Sequence, residues 1–192
     1  MNQDFTLSEN LKGFYDGIQH DVLRALFEHW QNLRNENGVM VRSTLVPENI
    51  PKLLPYLFIM GVEKNPTRFQ YRLIGSHIEA STGDYMTGKY LDEYRKGQAL
   101  RHLTDLFSVP ADLHVPARSS STLEGESNTR AIFHRIILPM SNDGFKVDQL
   151  LGGWVMETTH YTPSRETKAL IASSEIRTNP LIVAPSTLKA AE

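Results

Sequence analysis

Histidine is the residue type in this sequence best suited to ligate a metal or to transfer protons, and the chain contains seven of them. No two are four residues apart, the spacing that would place two imidazoles on one face of a helix, so we assign no metal ligand. His102 falls beside Leu103 on a predicted helix, and we expect it to be an ordinary surface histidine. His134 alternates with Phe133 and Arg135 in a predicted strand, and we expect its imidazole to be hydrogen-bonded within a sheet.

The carboxylates give no clear acid–base pair. Four of them fall in predicted turns, where a carboxylate usually accepts hydrogen bonds from backbone N–H groups: Asp84, Asp92, Glu93 and Asp143. The sequence also lacks phosphate-binding loops, dinucleotide fingerprints, nucleophile elbows and zinc-protease helices. The absence of cysteine removes disulfides, thiolate metal sites and cysteine nucleophiles. We therefore assign no catalytic residue and do not expect an enzyme.

Arg72 is the charged residue that most needs an explanation, because it lies between Tyr71 and Leu73 inside a predicted strand. A guanidinium group cannot be buried without partners. Two interpretations remain open. Arg72 either forms a salt bridge or carbonyl contact that stabilises the end of the strand at Gly75, or it anchors an anionic ligand.

The clearest structural signal is a hairpin in the first half of the chain. Tyr56–Glu63 is almost continuously apolar, residues 64–67 form a polar turn with Asn-Pro, and Arg68–Ile74 alternates. This alternation predicts Phe69, Tyr71 and Leu73 on one face of the second strand. Three further strands are predicted at Ala117–Leu123, Arg130–Leu138 and Leu150–Glu157. Together these segments predict a sheet of five antiparallel strands.

Two amphipathic helices are predicted around these strands. Gln19–Arg34 and Gly97–Ser108 both repeat apolar residues at helical spacing, and we expect the second helix to end before Pro110. The apolar residues of the first helix are Val22, Leu23, Leu26, Phe27 and Trp30. They cover a sheet face of the same subunit, form the contact of a homodimer, or do both. We expect a homodimer, because large buried side chains of this kind stabilise an association.

Composition and length limit the number of domains and the classes of partner that we expect. The chain has 192 residues and a formal charge of -2, so a single domain is expected and a nucleic-acid partner is not. No apolar run approaches the roughly 20 residues that span a bilayer, so we expect a cytoplasmic protein without membrane contact. We divide the chain into an N-terminal arm at 1–18, a domain at 19–160, and a C-terminal helix and tail at 161–192.

Four segments occur in an order that resembles a known family: FEHW, VPENIPKLLPYLFIMGVE, FQYRLIGSHIEASTGDYMTGKYLDEY and FHRIILPMSNDGFKVDQLLGG. Over Gln19–Glu157 the chain resembles the bacterial PAS-like domains of the PAS_5 type, which often stand alone. This resemblance implies an α+β fold in which helices cover one face of a five-stranded antiparallel sheet. It also implies a sensory or protein-interaction role, with a signalling protein or a small molecule as partner.

The resemblance brings ten residues around the space between the sheet and the helices, where they form either a plain core or a ligand site. They are Tyr71, Arg72, Leu73, Ile78, Tyr85, Met86, Leu103, Phe107, Phe133 and Trp154. We expect no redox or light-absorbing cofactor, since there is no cysteine and no histidine is well placed.

Two other functions remain open. One is a small enzyme or carrier with a cone-shaped pocket, like the ketosteroid isomerase class, which needs a buried carboxylate base facing a tyrosine. The other is a structural adaptor without a ligand.

Overall fold

The computed structural model describes residues 11–124, 130–159, 177–178 and 182–183. Its centre is one sheet with five long strands: β2 (Leu57–Glu63), β3 (Arg68–Ile74), β4 (Ala117–Glu124), β5 (Arg130–Ser141) and β6 (Gln149–Thr159). Three two-residue strands complete it: β1 (Met40–Val41), β7 (Arg177–Thr178) and β8 (Ile182–Val183). The strand order is β3-β2-β6-β5-β4-β7, with β1 beside β5 and β8 beside β4.

The five predicted strands are confirmed, and each begins and ends within three residues of its predicted position. All neighbouring pairs among them are antiparallel, and only the short β1 runs parallel to its partner β5. The strands β7 and β8 come from the segment that was predicted to be a helix and tail, and both pair with β4. The predicted helix that starts at Thr162 and most of that tail lie outside the described residues, as do residues 1–10.

The chain is helical at 11–16 (α1), and four further helices follow: α2 (Asp21–Leu33), α3 (Ser76–Thr82), α4 (Leu91–Tyr94) and α5 (Gly97–Leu113). The predicted end of α5 before Pro110 is wrong, since the helix continues past this proline and ends where His114 adopts φ 57°. Pro110 and Ala111 are buried together with Phe107. Packing against the core therefore stabilises a last helical turn that proline disfavours on its own.

Helices cover both faces of the sheet, whereas the family resemblance implied helices over one face. On the first face, α1 and α2 pack against β5 and β6, and the indole of Trp30 donates a hydrogen bond to the Pro139 carbonyl oxygen at 2.9 Å. Leu23, Leu26 and Phe27 are at most 1% exposed, and Val22 packs against the same cluster. These side chains therefore cover a sheet face of the same subunit, as one of the two interpretations expected. The dimer contact on this helix and self-association itself stay predictions.

On the second face, α3, α4 and α5 pack against the sheet and enclose the larger apolar core. Two adjacent glycines of β6 allow close approach from opposite sides. A Cβ atom on Gly152 would overlap the ring of Phe58, and one on Gly153 would lie 2.7 and 2.8 Å from the methyl groups of Leu23 and Leu26. The Gly-Gly pair thus makes room for an aromatic ring on one face and for α2 on the other.

A β-bulge in the hairpin changes which side chains face the second core. Ile59 pairs with Leu73, but the next residue, Met60, pairs with Tyr71, so Arg72 is an extra residue in β3. One extra residue reverses the alternation of a strand. Leu73 therefore points away from the face of Tyr71 and is 40% exposed, while Ile74 packs against the second core in its place. The predicted position of Leu73 is wrong for this reason.

Candidate functional site

A cavity of about 30 Å³ lies between the sheet and α3–α5. A single water requires about 10–15 Å³ by the same measure, so this space has room for roughly two waters or a group of similar size. Most of its wall is apolar or aromatic, but two arginines also contribute. The lining residues are Phe58, Tyr71, Ile74, Ile78, Met86, Arg95, Leu103, Phe107, Arg135 and Trp154.

Six of the ten residues predicted to surround this space line the cavity: Tyr71, Ile78, Met86, Leu103, Phe107 and Trp154. The other four do not. Leu73 is turned away by the bulge, Tyr85 is 65% exposed, and Phe133 is buried in the same core beside the Trp154 ring without reaching the cavity. Arg72 is exposed and lies beside Gly61, outside the cavity, and both interpretations of Arg72 stay predictions.

Arg135 is the main charged group of the site. Its guanidinium carbon lies 5.2 Å from the ring centre of Phe133 and 5.5 Å from that of Trp154, and Nη1 donates to Ser121 Oγ at 3.3 Å. Loss of hydration and, to a smaller extent, the nearby charge of Arg95 lower the pKa of Arg135 to about 10, while Tyr71 acts in the opposite direction. The protein thus holds a cation here at an electrostatic cost.

Arg95 reaches the same cavity from the helical side, at the residue that ends α4. Its guanidinium carbon lies 4.2 Å from the ring centre of Tyr94, which is partly buried. Tyr71 forms the adjoining wall. Burial raises the pKa of the Tyr71 hydroxyl, although Arg95 and Arg135 lower it in part. Two guanidinium groups and a phenol therefore meet in one small space.

Several buried polar atoms around Arg135 have no hydrogen-bond partner within the described part of the chain. Trp154 lies directly opposite Arg135 on β6 and has an unpartnered Nε1, and Ser119 lies opposite on β4 with an unpartnered Oγ. His102 on α5 has a buried and unpartnered Nε2. Burial lowers the pKa of His102, and the charge of Arg135 contributes. The expected surface position of His102 is therefore wrong, because its helix turns the imidazole toward the core.

The predicted turn carboxylates lie elsewhere. Asp92 forms two hydrogen bonds with Arg68, at 2.8 and 2.9 Å, and Glu93 accepts from the backbone N–H of Tyr90 at the start of α4. Asp143 accepts hydrogen bonds from two backbone N–H groups and from the Ser141 hydroxyl, and they lower its pKa to about 2. The backbone contacts of Glu93 and Asp143 agree with the prediction, whereas Asp92 accepts from a side chain and Asp84 is hydrogen-bonded to Tyr94. None of the four carboxylates lines the cavity.

A second cavity, of about 110 Å³, lies on the opposite face of the sheet near α2. His134 lines it and is buried, with Nδ1 2.9 Å from Ser120 Oγ and Nε2 3.8 Å from a Glu157 carboxylate oxygen. The prediction of a hydrogen-bonded sheet histidine is confirmed. Burial lowers the pKa of His134, and Glu157 opposes this effect. Arg118 also lines this cavity and donates to the Gly17 carbonyl oxygen.

Sequence reasoning missed Arg95 and Arg135. A signal for Arg135 was present, since it alternates in phase with Phe133 and Ile137, which both face the second core. The same alternation that places those apolar side chains inside also places the guanidinium inside. Arg95 lies between two helices and carries no comparable signal in the sequence.

Comparisons with known proteins identify the family. Residues 18–155, more than half of the chain, match the family model PAS_5, described as a PAS domain, and no curated protein matches. Within the described ranges, no group of three or more histidine or carboxylate side chains could hold a metal ion. None of the helices described is both long and apolar enough to cross a membrane. On the strength of the family match, this chain belongs to the PAS domain family.

Proposed function

We propose that this chain is a cytoplasmic, non-enzymatic PAS sensory module that binds a small molecule between its sheet and α3–α5. Family membership supports a sensory or interaction role in general. The observation that supports a ligand is the cavity, because it combines apolar walls with convergent polar groups, as ligand sites usually do. A plain core would not place two arginines there.

The chemistry of the cavity disfavours an enzyme of the ketosteroid isomerase type. Such an enzyme needs a carboxylate base facing a tyrosine. Tyr71 is present, but the charged residues among those that line the cavity are Arg95 and Arg135. In this proposal the protein has no redox or light-absorbing cofactor, and ligand occupancy alters its interaction with a signalling partner or with a second copy of the chain.

Mass and light absorption of the freshly purified protein test this proposal. Native mass spectrometry should show a species heavier than the chain by a small-molecule mass, and denaturation should remove that mass. The absorption spectrum should contain only the aromatic band. A ligand-free mass that persists when small-molecule mixtures are added would favour the structural adaptor, and a visible absorption band that survives gel filtration would contradict the absence of a cofactor.

A further inference from the structure

Arg135 brings a half-buried positive charge to the second core. Across the described portion of the chain, the salt bridges formed by arginines involve Arg24 and Arg68, and Arg135 forms none. A buried charge is costly unless an opposite charge and hydrogen bonds compensate it. The mutual repulsion of the two guanidinium groups adds to this cost.

Among the described residues, one unpartnered hydrogen-bond donor lines the same cavity, the indole N–H of Trp154, and two further unpartnered polar atoms lie near Arg135. Six buried side-chain atoms lack a partner in the part of the chain that is described, and three of them belong to Ser119, Trp154 and His102. Ser119 and Trp154 are the direct neighbours of Arg135 on β4 and β6, so their side chains share its face of the sheet. A hydroxyl group and an indole N–H are hydrogen-bond donors. The two cations and the indole N–H of Trp154 therefore line one cavity.

The shape and polarity of the cavity select a class of anion. Guanidinium groups bind carboxylates through two parallel hydrogen bonds, which suits a flat group of two oxygens. The space has room for about two waters, and the residues beyond the arginines, such as Met86, Leu103 and Phe107, are apolar. A small organic carboxylate matches both parts of the lining, because its anionic group can contact the arginines and its carbon atoms can contact the apolar side chains.

We propose that the ligand of this PAS domain is a small organic carboxylate, whose anionic group binds between Arg95 and Arg135 and accepts a hydrogen bond from the indole N–H of Trp154. This inference rests on the proposed function, since it specifies the chemical class of ligand for the same cavity. It assigns the role of anion anchor to Arg135 in place of Arg72, which is exposed on β3.

The two tryptophans provide a direct test with an internal control. The indole of Trp30 donates to Pro139 on the opposite face of the sheet, whereas that of Trp154 is unpartnered and lines the cavity. The full chain, labelled with ¹⁵N, refolded from urea and desalted, is titrated with sodium formate and sodium acetate at constant sodium concentration. The Trp154 indole signal should move and saturate, and the Trp30 signal should remain in place. Trp154→Phe assigns the two signals.

Matched variants locate the anion. Arg135→Gln and Arg95→Gln should each weaken acetate binding about tenfold or more, while Arg72→Gln should bind like wild type. An unchanged Trp30 indole signal shows that each variant is folded. Acetamide, which has nearly the shape of acetate without its charge, should leave the Trp154 signal in place.

Three results would overturn the inference. If acetamide and acetate shift the Trp154 signal equally, the cavity binds small molecules without selecting an anion, and only the proposed function stands. If neither probe shifts it, both the anion site and the proposed small-molecule site fail. If both Gln variants fold and retain wild-type acetate affinity, the arginines are not the anchor.

Discussion

Arg135 and Trp154 lie directly opposite each other on β5 and β6, with the guanidinium carbon 5.5 Å from the centre of the indole ring. This cross-strand pair orients a cation and an unpartnered N–H group toward the same cavity. A cation near an aromatic ring is stabilised by the ring electrons, which helps to retain a guanidinium group in the core. The pairing of β5 with β6 thus places both side chains at the cavity, and α3–α5 cover it.

Replacement of Arg135 by methionine should stabilise the ligand-free protein. The change removes a half-buried charge that forms no salt bridge among the residues the structure describes, while it keeps a long apolar side chain. Replacing buried charged groups by apolar ones has stabilised other proteins by about 1–4 kcal/mol, and we expect about 1 kcal/mol here because contacts with two aromatic rings are also lost. Urea unfolding of the desalted protein measures the change.

The exposed Arg72 provides the control for that substitution. Arg72→Met should leave the free energy of unfolding within about 0.5 kcal/mol of the wild-type value, as is usual for surface changes. Strong destabilisation by Arg135→Met would show instead that the guanidinium contributes to the fold through its contacts, and the view of Arg135 as a binding group maintained at a cost would be wrong.

Gly152→Ala should destabilise the protein by about 1–3 kcal/mol, the usual cost of overpacking a core. The added methyl group would overlap the ring of Phe58, which must then move into the cavity or against α5. Gly13→Ala is the matched control, since no atom lies within 4 Å of the new Cβ and the residue is helical. That change should be neutral or slightly stabilising, because alanine favours helices. Thermal unfolding of both variants checks the contrast.

Acidification below about pH 6.5 should destabilise the fold. Burial lowers the pKa values of His29, His77, His102 and His134 below 6.5, the ordinary value. Below that pH the unfolded chain takes up protons before the folded one, so stability is complete above pH 6.5 and decreases as the pH falls through the folded pKa values. Urea midpoints at several pH values measure this slope. His29→Gln should reduce it, and a midpoint that rises on acidification would contradict the burial of these imidazoles.

Phe27→Ala should destabilise the subunit by about 3–5 kcal/mol without changing its mass in solution. Phe27 is 0% exposed and contacts the rings of Phe14 and Trp30, so its side chain is part of the core under α2. Denaturation and light scattering are measured on the same samples. A folded variant whose mass is half that of wild type would support the predicted dimer contact on this helix.

Four of the five long strands were predictable because they alternate or are largely apolar, whereas the serine-rich β4 has neither pattern. Two predictions were wrong because a single residue type or an extra residue makes the pattern misleading. The bulge at Arg72 exchanges Leu73 for Ile74 at the cavity, and no property of Arg72 as a residue type indicates it. Pro110 is a helix-ending signal that core packing outweighs.

The site was less predictable than the fold. Six of its apolar lining residues were identified from family resemblance, but its charged residues were not. Alternation within β5 indicates that Arg135 faces inward, yet only the three-dimensional arrangement shows that Arg95 meets it there. The direction of a side chain in a connection between two helices depends on how both helices pack, which the sequence pattern does not specify.

The stabilisation by acetate of a cavity-filled variant tests the central claim most directly. Leu103→Phe adds volume to the wall of the cavity, and Leu73→Phe makes the same change at a residue that the bulge turns outward. A ligand that binds only the folded state raises the free energy of unfolding. Exchange of chloride for acetate should therefore raise it for wild type and Leu73→Phe, but not for a folded Leu103→Phe. Equal stabilisation of all three proteins, or of none, would contradict a ligand site between the sheet and the helices.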